Sequence, residues 1–293
     1  MTAIVAVGGG HGLAASLRAL RRITDDVTAV VSVADNGGST GRLRRSMSQA
    51  APGDLRKCLV ALAEPNSALA RAMEYRFDEG ELDGHALGNL VLSAMSEVCG
   101  GLPLALDELG ALLGVKGRVL PATVEPVDLL AVTTDGREVR GQVAVMGTSD
   151  IDRVSLLPSD AHVAPDVLDR IAVADLIVLG PGSLFTSVLA ATAVPALTEA
   201  ISGARAHLLY ICNLHPQEGE TSGFGVAEHV AALERHGLRP DSVLYDPTLP
   251  GGDAVPGAVA ARLATTESNV HDPDLLERAL RAQLARWAPN LVP

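Results

Sequence analysis

"TAIVAVGGGHGLAASLRALRR", residues 2 to 22, decides the fold. Its first six residues are β-branched or small and apolar, as in a strand buried on both faces. Three glycines follow, and then Leu13, Leu17 and Leu20 recur at helical spacing. A strand, a glycine turn and a helix therefore open the chain. "DDVTAVVSVA", residues 25 to 34, is again apolar on both faces, so the helix leads to a second, parallel strand. This βαβ unit predicts an α/β fold, a doubly wound and mostly parallel sheet with helices on both faces.

The rest of the chain is read outward from that unit. Residues 52 to 113 are mainly helical in pattern, with Pro, Gly and acidic turns between apolar-periodic runs, and form a helical insertion covering the ligand side. "VDLLAVTT" and "EVRGQVAV" flank Asp135-Gly136, which predicts a hairpin over residues 127 to 145 at the edge of the sheet. Alternation then resumes: helix "PDVLDRIAVA", strand "DLIVLG", helix from "PGSLFTSVLAA", strand "AHLLYICN", helix "FGVAEHVAALERHG" and a last strand "DSVLYD". "PDLLERALRAQLARWAP" carries an apolar helical stripe suited to core or to a dimer surface. No linker composition interrupts residues 1 to 293, so a single domain is expected.

Composition narrows the function. At 47% hydrophobic and 2% aromatic, the core is built from Ala, Val, Leu and Ile, which disfavours base-stacking platforms for single-stranded nucleic acid. A formal net charge of −12 opposes duplex nucleic acid and anionic membranes, so an anion must find locally concentrated basic groups. Cys58, Cys99 and Cys212 lie in separate apolar runs without metal or redox spacing, as free thiols in a reducing cytosol. No apolar run reaches the ~18 residues of a bilayer span and no basic leader precedes the first strand. A cytoplasmic protein without nucleic-acid binding or membrane insertion is expected.

In open parallel sheets ligands bind beyond the carboxyl ends of the strands, and four unusual loops occupy that position. Gly10-His11-Gly12 with Ala15 fits G-x-G-x-x-A, which brings backbone amides close to phosphate at a helix N-terminus, and a plain tight turn is the alternative. "ADNGGSTGRLRR", residues 34 to 45, adds Asp35 where a dinucleotide fold binds ribose, glycines for an amide nest, hydroxyls at Ser39 and Thr40, and the Arg42 guanidinium. Arg44 and Arg45 read as solvated helix residues. "LGPGSLFTS" runs a buried strand through Gly180, Pro181, Gly182 and Ser183 into a helix, with Ser183 a ligand contact or an N-cap. "ICNLHPQEGET" places Asn213 after a strand. Asp54 and Asn89 come from the insertion, where capping is the competing reading. His11, His215 and His229 have no metal-ligand spacing, and neither a hydrolase triad signature nor a Walker A motif is present.

"GGGHGL", "VADNGGSTGRLR", "PGDLRKCLVALA", "GHALGNL", "LGPGSLFTS" and "YICNLHPQEGETSGF", in this order over residues 3 to 247, resemble the bacterial gluconeogenesis factor family, the YvcK-like relatives of 2-phospho-L-lactate transferase. The resemblance implies a Rossmann-like three-layer α/β fold and binding of a UDP-sugar such as UDP-N-acetylglucosamine, with no required cofactor. It implies a regulatory role in carbon metabolism, cell-wall precursor supply and cell shape; a regulatory protein partner and a homodimer are expected alongside. The transferase relatives imply the competing reading, an enzyme using a guanine nucleotide and Mg²⁺. Ligand contacts are then expected from Gly9, Gly10, His11, Gly12 and Leu13, and from Asp35, Asn36, Ser39, Thr40, Gly41 and Arg42. Asp54, Asn89, Gly180, Pro181, Gly182, Ser183 and Asn213 complete the cradle, and no catalytic or resident metal site is assigned. His11 stands where the family has a small hydroxyl, and Asn36 where it has an acid, which weakens a metal-assisted mechanism. Arg42 is expected to be the main phosphate partner, and Tyr245 to stack on a uracil or to serve as a core or interface residue.

Overall fold

The structure, a computed structural model, describes residues 2–47, 50–65, 67–265 and 268–287. The Arg45 side chain and the end of the C-terminal helix pattern after Trp287 lie outside the described residues. The opening unit is as read: β1 (Ile4–Gly8), α1 (Gly10–Leu20) and β2 (Val27–Val31), with every strand residue buried and β1 paired parallel to β2. Helices α2 (Gly38–Met47), α3 (Pro52–Leu62), α4 (Ala68–Glu74), α5 (Leu87–Val98) and α6 (Leu102–Leu112) separate β2 from β3 (Arg118–Pro121). The helical cover thus begins at Gly38, ahead of the expected start at residue 52. There the glycines and hydroxyls of the motif hide a helix that Gly38 opens at φ 46°.

The expected hairpin forms between β4 (Asp128–Thr133) and β5 (Glu138–Arg140), but it does not edge the main sheet. Gly141, at φ 94°, ends β5, so "QVAV" continues as the short helix α7 (Gln142–Met146) instead of as strand. β6 (Ile151–Leu157) takes the free side of β4 in a separate antiparallel sheet, while β3 fills the edge position of the main one.

Next come α8 (Pro165–Ala172), β7 (Leu176–Leu179), a π-turn at Leu184–Val188 that continues into α9 (Leu189–Thr192), and α10 (Pro195–Gly203). β8 (His207–Ile211), α11 (Val226–Arg235), β9 (Ser242–Tyr245), β10 (Ala258–Ala260) and α12 (Pro273–Trp287) follow. β10 extends the sheet beyond "DSVLYD", expected to be its last strand, and pairs parallel to it. The main sheet has seven strands in the order β10-β9-β8-β7-β1-β2-β3. From β1 the chain steps one way to β2 and β3, and from β7 the other way to β8, β9 and β10. Right-handed crossovers then set the connecting helices on opposite faces. α12 packs on α1 with Leu276, Leu280 and Leu284 buried, so its stripe is core. Cys58 and Cys212 are buried free thiols, and Cys99 is a half-buried one. Among the described residues no single helix is long and apolar enough to cross a membrane.

Candidate functional site

The point where strand order reverses lies between β1 and β7, and such switch points are where parallel sheets open a crevice. The loops leaving β8, β7, β1 and β2, four neighbouring strands, line one cavity of about 640 Å³. Gly9 enters α1 in extended conformation without a side-chain cap, and no acid occupies the first turn. The unpaired amides of that turn therefore carry the helix's positive end toward the cavity. Gly10 requires its freedom at φ 67°. Gly12 is fixed by contact: a Cβ there would lie 2.7 Å from the Pro181 carbonyl carbon and 2.9 Å from Gly182 Cα. The first and third loops thus rest on each other. Gly9, Gly10, His11 and Gly12 line the cavity, whereas Leu13 is buried in the core.

The second motif divides. Asp35 and Gly37 line the cavity, and Asp35 accepts from the Gly37 N–H at 2.9 Å. Burial, and then the neighbouring Asp54 charge, hold the Asp35 carboxyl above the usual carboxylate range. Asp54 also lines the cavity and accepts from Lys57 Nζ at 2.9 Å. Lys57 is the largest cause of the lowered His11 pKa, so its charge reaches the ligand side.

The other residues of the second motif turn away from the cavity. Asn36 Oδ1 accepts from the Val143 N–H at 3.1 Å, and Gly41 packs on the Asn36 carbonyl. Thr40 lies buried behind Asp35 and hydrogen-bonds to it. The buried Ser39 hydroxyl accepts from buried Asn89 Nδ2 at 3.2 Å and meets Nδ1 of the half-exposed His85 at 3.1 Å, and none of the three lines the cavity. Arg42, expected to be the main phosphate partner, is exposed beyond the cavity wall and donates to the Asp83 carbonyl at 2.6 Å. Its guanidinium is drawn to the Asp83-Gly84 turn instead, where a Cβ on Gly84 would stand 2.9 Å from Arg42 Nη2. Arg44 is not solvated: it ties the Asp35 and Val127 carbonyls together at 3.1 and 2.7 Å.

On the third loop Gly182 and Ser183 line the cavity, while Gly180 and Pro181 are buried behind it. Ser183 does not cap the following turn through its side chain. Buried Glu220 takes that place, accepting from the Thr186 N–H at 3.0 Å. Asn213, on the fourth loop, accepts from the Gly182 N–H at 3.3 Å and donates to Gln217 Oε1 at 3.2 Å, which locks the third and fourth loops together. Tyr245 is core: its ring fills the space over Gly252, its hydroxyl donates to Asp253 at 3.3 Å, and it lies off the cavity. Tyr245→Phe is therefore expected to change stability by less than about 0.5 kcal/mol and to leave nucleotide affinity unchanged, as read by thermal melting and calorimetry.

Lys57, Ser187, Gln142, Val143 and Met146 line the cavity without having been anticipated. Lys57 was legible, being one of two lysines and a helical turn after Asp54. The α7 residues were not, because their run reads as strand.

Burial raises Glu220 to about 7, against the opposing pull of the Thr186 amide that donates to its carboxylate. An acid raised above its unfolded value of 4.5 makes the folded state the better proton binder, so this group's stabilisation is full below about 4.5 and is lost as pH rises through about 7. Glu220→Gln should flatten that part of the stability-pH curve, measured by denaturant unfolding between pH 4.5 and 7.5. An unchanged slope would refute the assignment.

Glycine loops at the switch point of a parallel sheet, with a helix N-terminus and a lysine facing one cavity, define a doubly wound α/β protein with an anion-competent ligand site. The chain belongs to the 2-phospho-L-lactate transferase CofD family, whose profile matches residues 4–288, and within it to the gluconeogenesis-factor, YvcK-like relatives. The gluconeogenesis factor of Bacillus subtilis is 43% identical over 235 residues, 80% of this chain and 74% of that protein. That of Halalkalibacterium halodurans is 39% identical over 264 residues, 89% and 81% respectively. A Deinococcus radiodurans relative is 42% identical over 291 residues, and this chain spans 61% of its length. A crystal structure of a Bacillus halodurans protein superposes with a TM-score of 0.88 at 35% identity, covering 95% of this chain and 99% of the other.

Proposed function

We propose that this protein is a cytoplasmic regulator that binds a UDP-sugar, UDP-N-acetylglucosamine, and couples carbon metabolism to cell-wall precursor supply and cell shape. The observation that carries the reading is the convergence of four strand-end loops on one cavity, with amides, Lys57 and Asn213 directed at the same space. The names of the relatives support the link to gluconeogenesis. The diphosphate lies against the first turn of α1 and Gly182, with Lys57 as its cation. A partner protein reads the ligand-bound state of a homodimer.

The transferase-like alternative draws on the family's name and on the neighbouring Asp35 and Asp54 carboxylates. Mg²⁺ fits there only with a phosphate ligand, since among the described residues no group of three or more His, Cys, Asp or Glu could hold a metal ion. It takes one or two carboxylates together with phosphate oxygens and water.

Calorimetry with UDP-N-acetylglucosamine, GDP and NAD, followed by mass spectrometry of the incubated ligand, separates the readings. UDP-sugar binding with ligand recovered intact supports the regulator. GDP binding with phospholactyl transfer supports the transferase, and NAD binding would contradict both.

A further inference from the structure

α7 carries exposed apolar side chains into a cavity whose other end is polar. Val143 and Met146 are 54% and 41% exposed, yet both line the cavity, while Val145 between them is fully buried as the anchor. The i, i+3 spacing puts the two exposed side chains on one face. Both ends of the helix are fastened to site loops. At its start, the Asn36 side-chain amide accepts from the Val143 N–H and fills the place a Gly141 side chain would take. At its end the Glu220 N–H donates to the Met146 carbonyl at 3.3 Å, and a Cβ on Gly219 would lie 3.0 Å from Gly147 Cα. Val143 also packs on Gly37, a Cβ of which would stand 3.2 Å from Val143 Cγ2. The wall is therefore held between the second and fourth loops.

Leu214, Pro216 and Val270 add apolar surface to the same cavity, and Gln142, Gln217 and Asn269 bring amide groups. Apolar faces exclude water from a flat ring, and amides, which donate and accept, can read its edge. A saturated sugar would demand denser hydrogen bonding than the apolar wall offers, and an acyl chain would leave the amides unpaired.

We infer that the α7 wall is the base subsite: a nucleobase packs on Val143 and Met146, while the phosphates lie at the glycine loops beside Lys57. Met146 is then a specificity-determining residue. This rests on the nucleotide reading above.

The test titrates wild type, Met146→Ala and Met146→Leu with UDP-N-acetylglucosamine, UDP, GDP, NAD and inorganic diphosphate, with thermal melting to confirm folding. Met146→Ala is expected to weaken base-bearing ligands about tenfold and Met146→Leu much less, with inorganic diphosphate binding unchanged in both. Equal weakening of diphosphate, or undiminished affinity for the base-bearing ligands, overturns the base subsite. Wild type binding GDP or NAD but not UDP-N-acetylglucosamine defeats the UDP-sugar reading alone, and the same Met146 comparison on the bound nucleotide then decides the wall. Binding of no base-bearing ligand overturns both.

Discussion

Gly12→Ala is expected to destabilise the protein by at least about 3 kcal/mol and to abolish nucleotide-sugar binding. The added methyl meets backbone, the Pro181 carbonyl and Gly182 Cα, and no flexible side-chain tip is there to swing aside. Relief requires α1 to lift from the third loop. That motion disrupts the seam between β1 and β7, on both sides of which the core is fully buried. The thermal midpoint should fall by about 5–10 °C for a chain of this size. Gly38→Ala is the control: it carries φ 46° and has nothing within 4 Å of its built Cβ, so it bears only the cost of a left-handed backbone, about 1–2 kcal/mol. A Gly12→Ala protein that melts with wild type would show that the two loops do not rest on each other.

Lys57→Met is expected to weaken UDP-N-acetylglucosamine binding about ten- to hundredfold, the size of one charge-assisted contact of roughly 1.5–3 kcal/mol, while Arg42→Ala weakens it less than threefold. Sequence alone points to Arg42 and geometry to Lys57, so the pair of variants discriminates between them. Methionine keeps the apolar stem of Lys57 and removes the charge. Because Lys57 is the largest cause of the lowered His11 pKa, the His11 titration followed by NMR should move upward in Lys57→Met with no ligand present. Rising salt should weaken wild type more than the lysine variant. A large loss in Arg42→Ala together with a silent Lys57→Met would return the phosphate to α2.

The fold was legible where hydrophobic pattern and glycine punctuation agree, as in β1, α1 and β2, whose burial matches the sequence reading. β3 and β10 escaped because four- and three-residue strands at sheet edges leave too short a pattern. α7 escaped because "QVAV" alternates like a strand, and only the backbone angle at Gly141 redirects it. Loop residues adjacent to strand ends, Gly10, Asp35, Gly182 and Asn213, all reached the cavity because a parallel sheet brings its carboxyl ends together. Residues farther along the same motifs did not. Ser39, Arg42 and Asn89 are set by the rotation of α2 and α5 about their axes, which composition does not specify. The Glu220 contact with the Thr186 amide, joining residues 34 apart in sequence, left no local signal.

A crystal structure grown with UDP-N-acetylglucosamine tests the central claim most directly, namely that the loops of β1, β2, β7 and β8 hold one ligand. The account predicts the diphosphate within hydrogen-bond reach of the Gly10–Gly12 amides and Lys57, with Asn213 beside Gly182 and the uracil against Met146. Ligand bound instead at Arg42 and Asp83, or in the separate groove at the α5–α6 turn near Leu92 and Leu102, would contradict it.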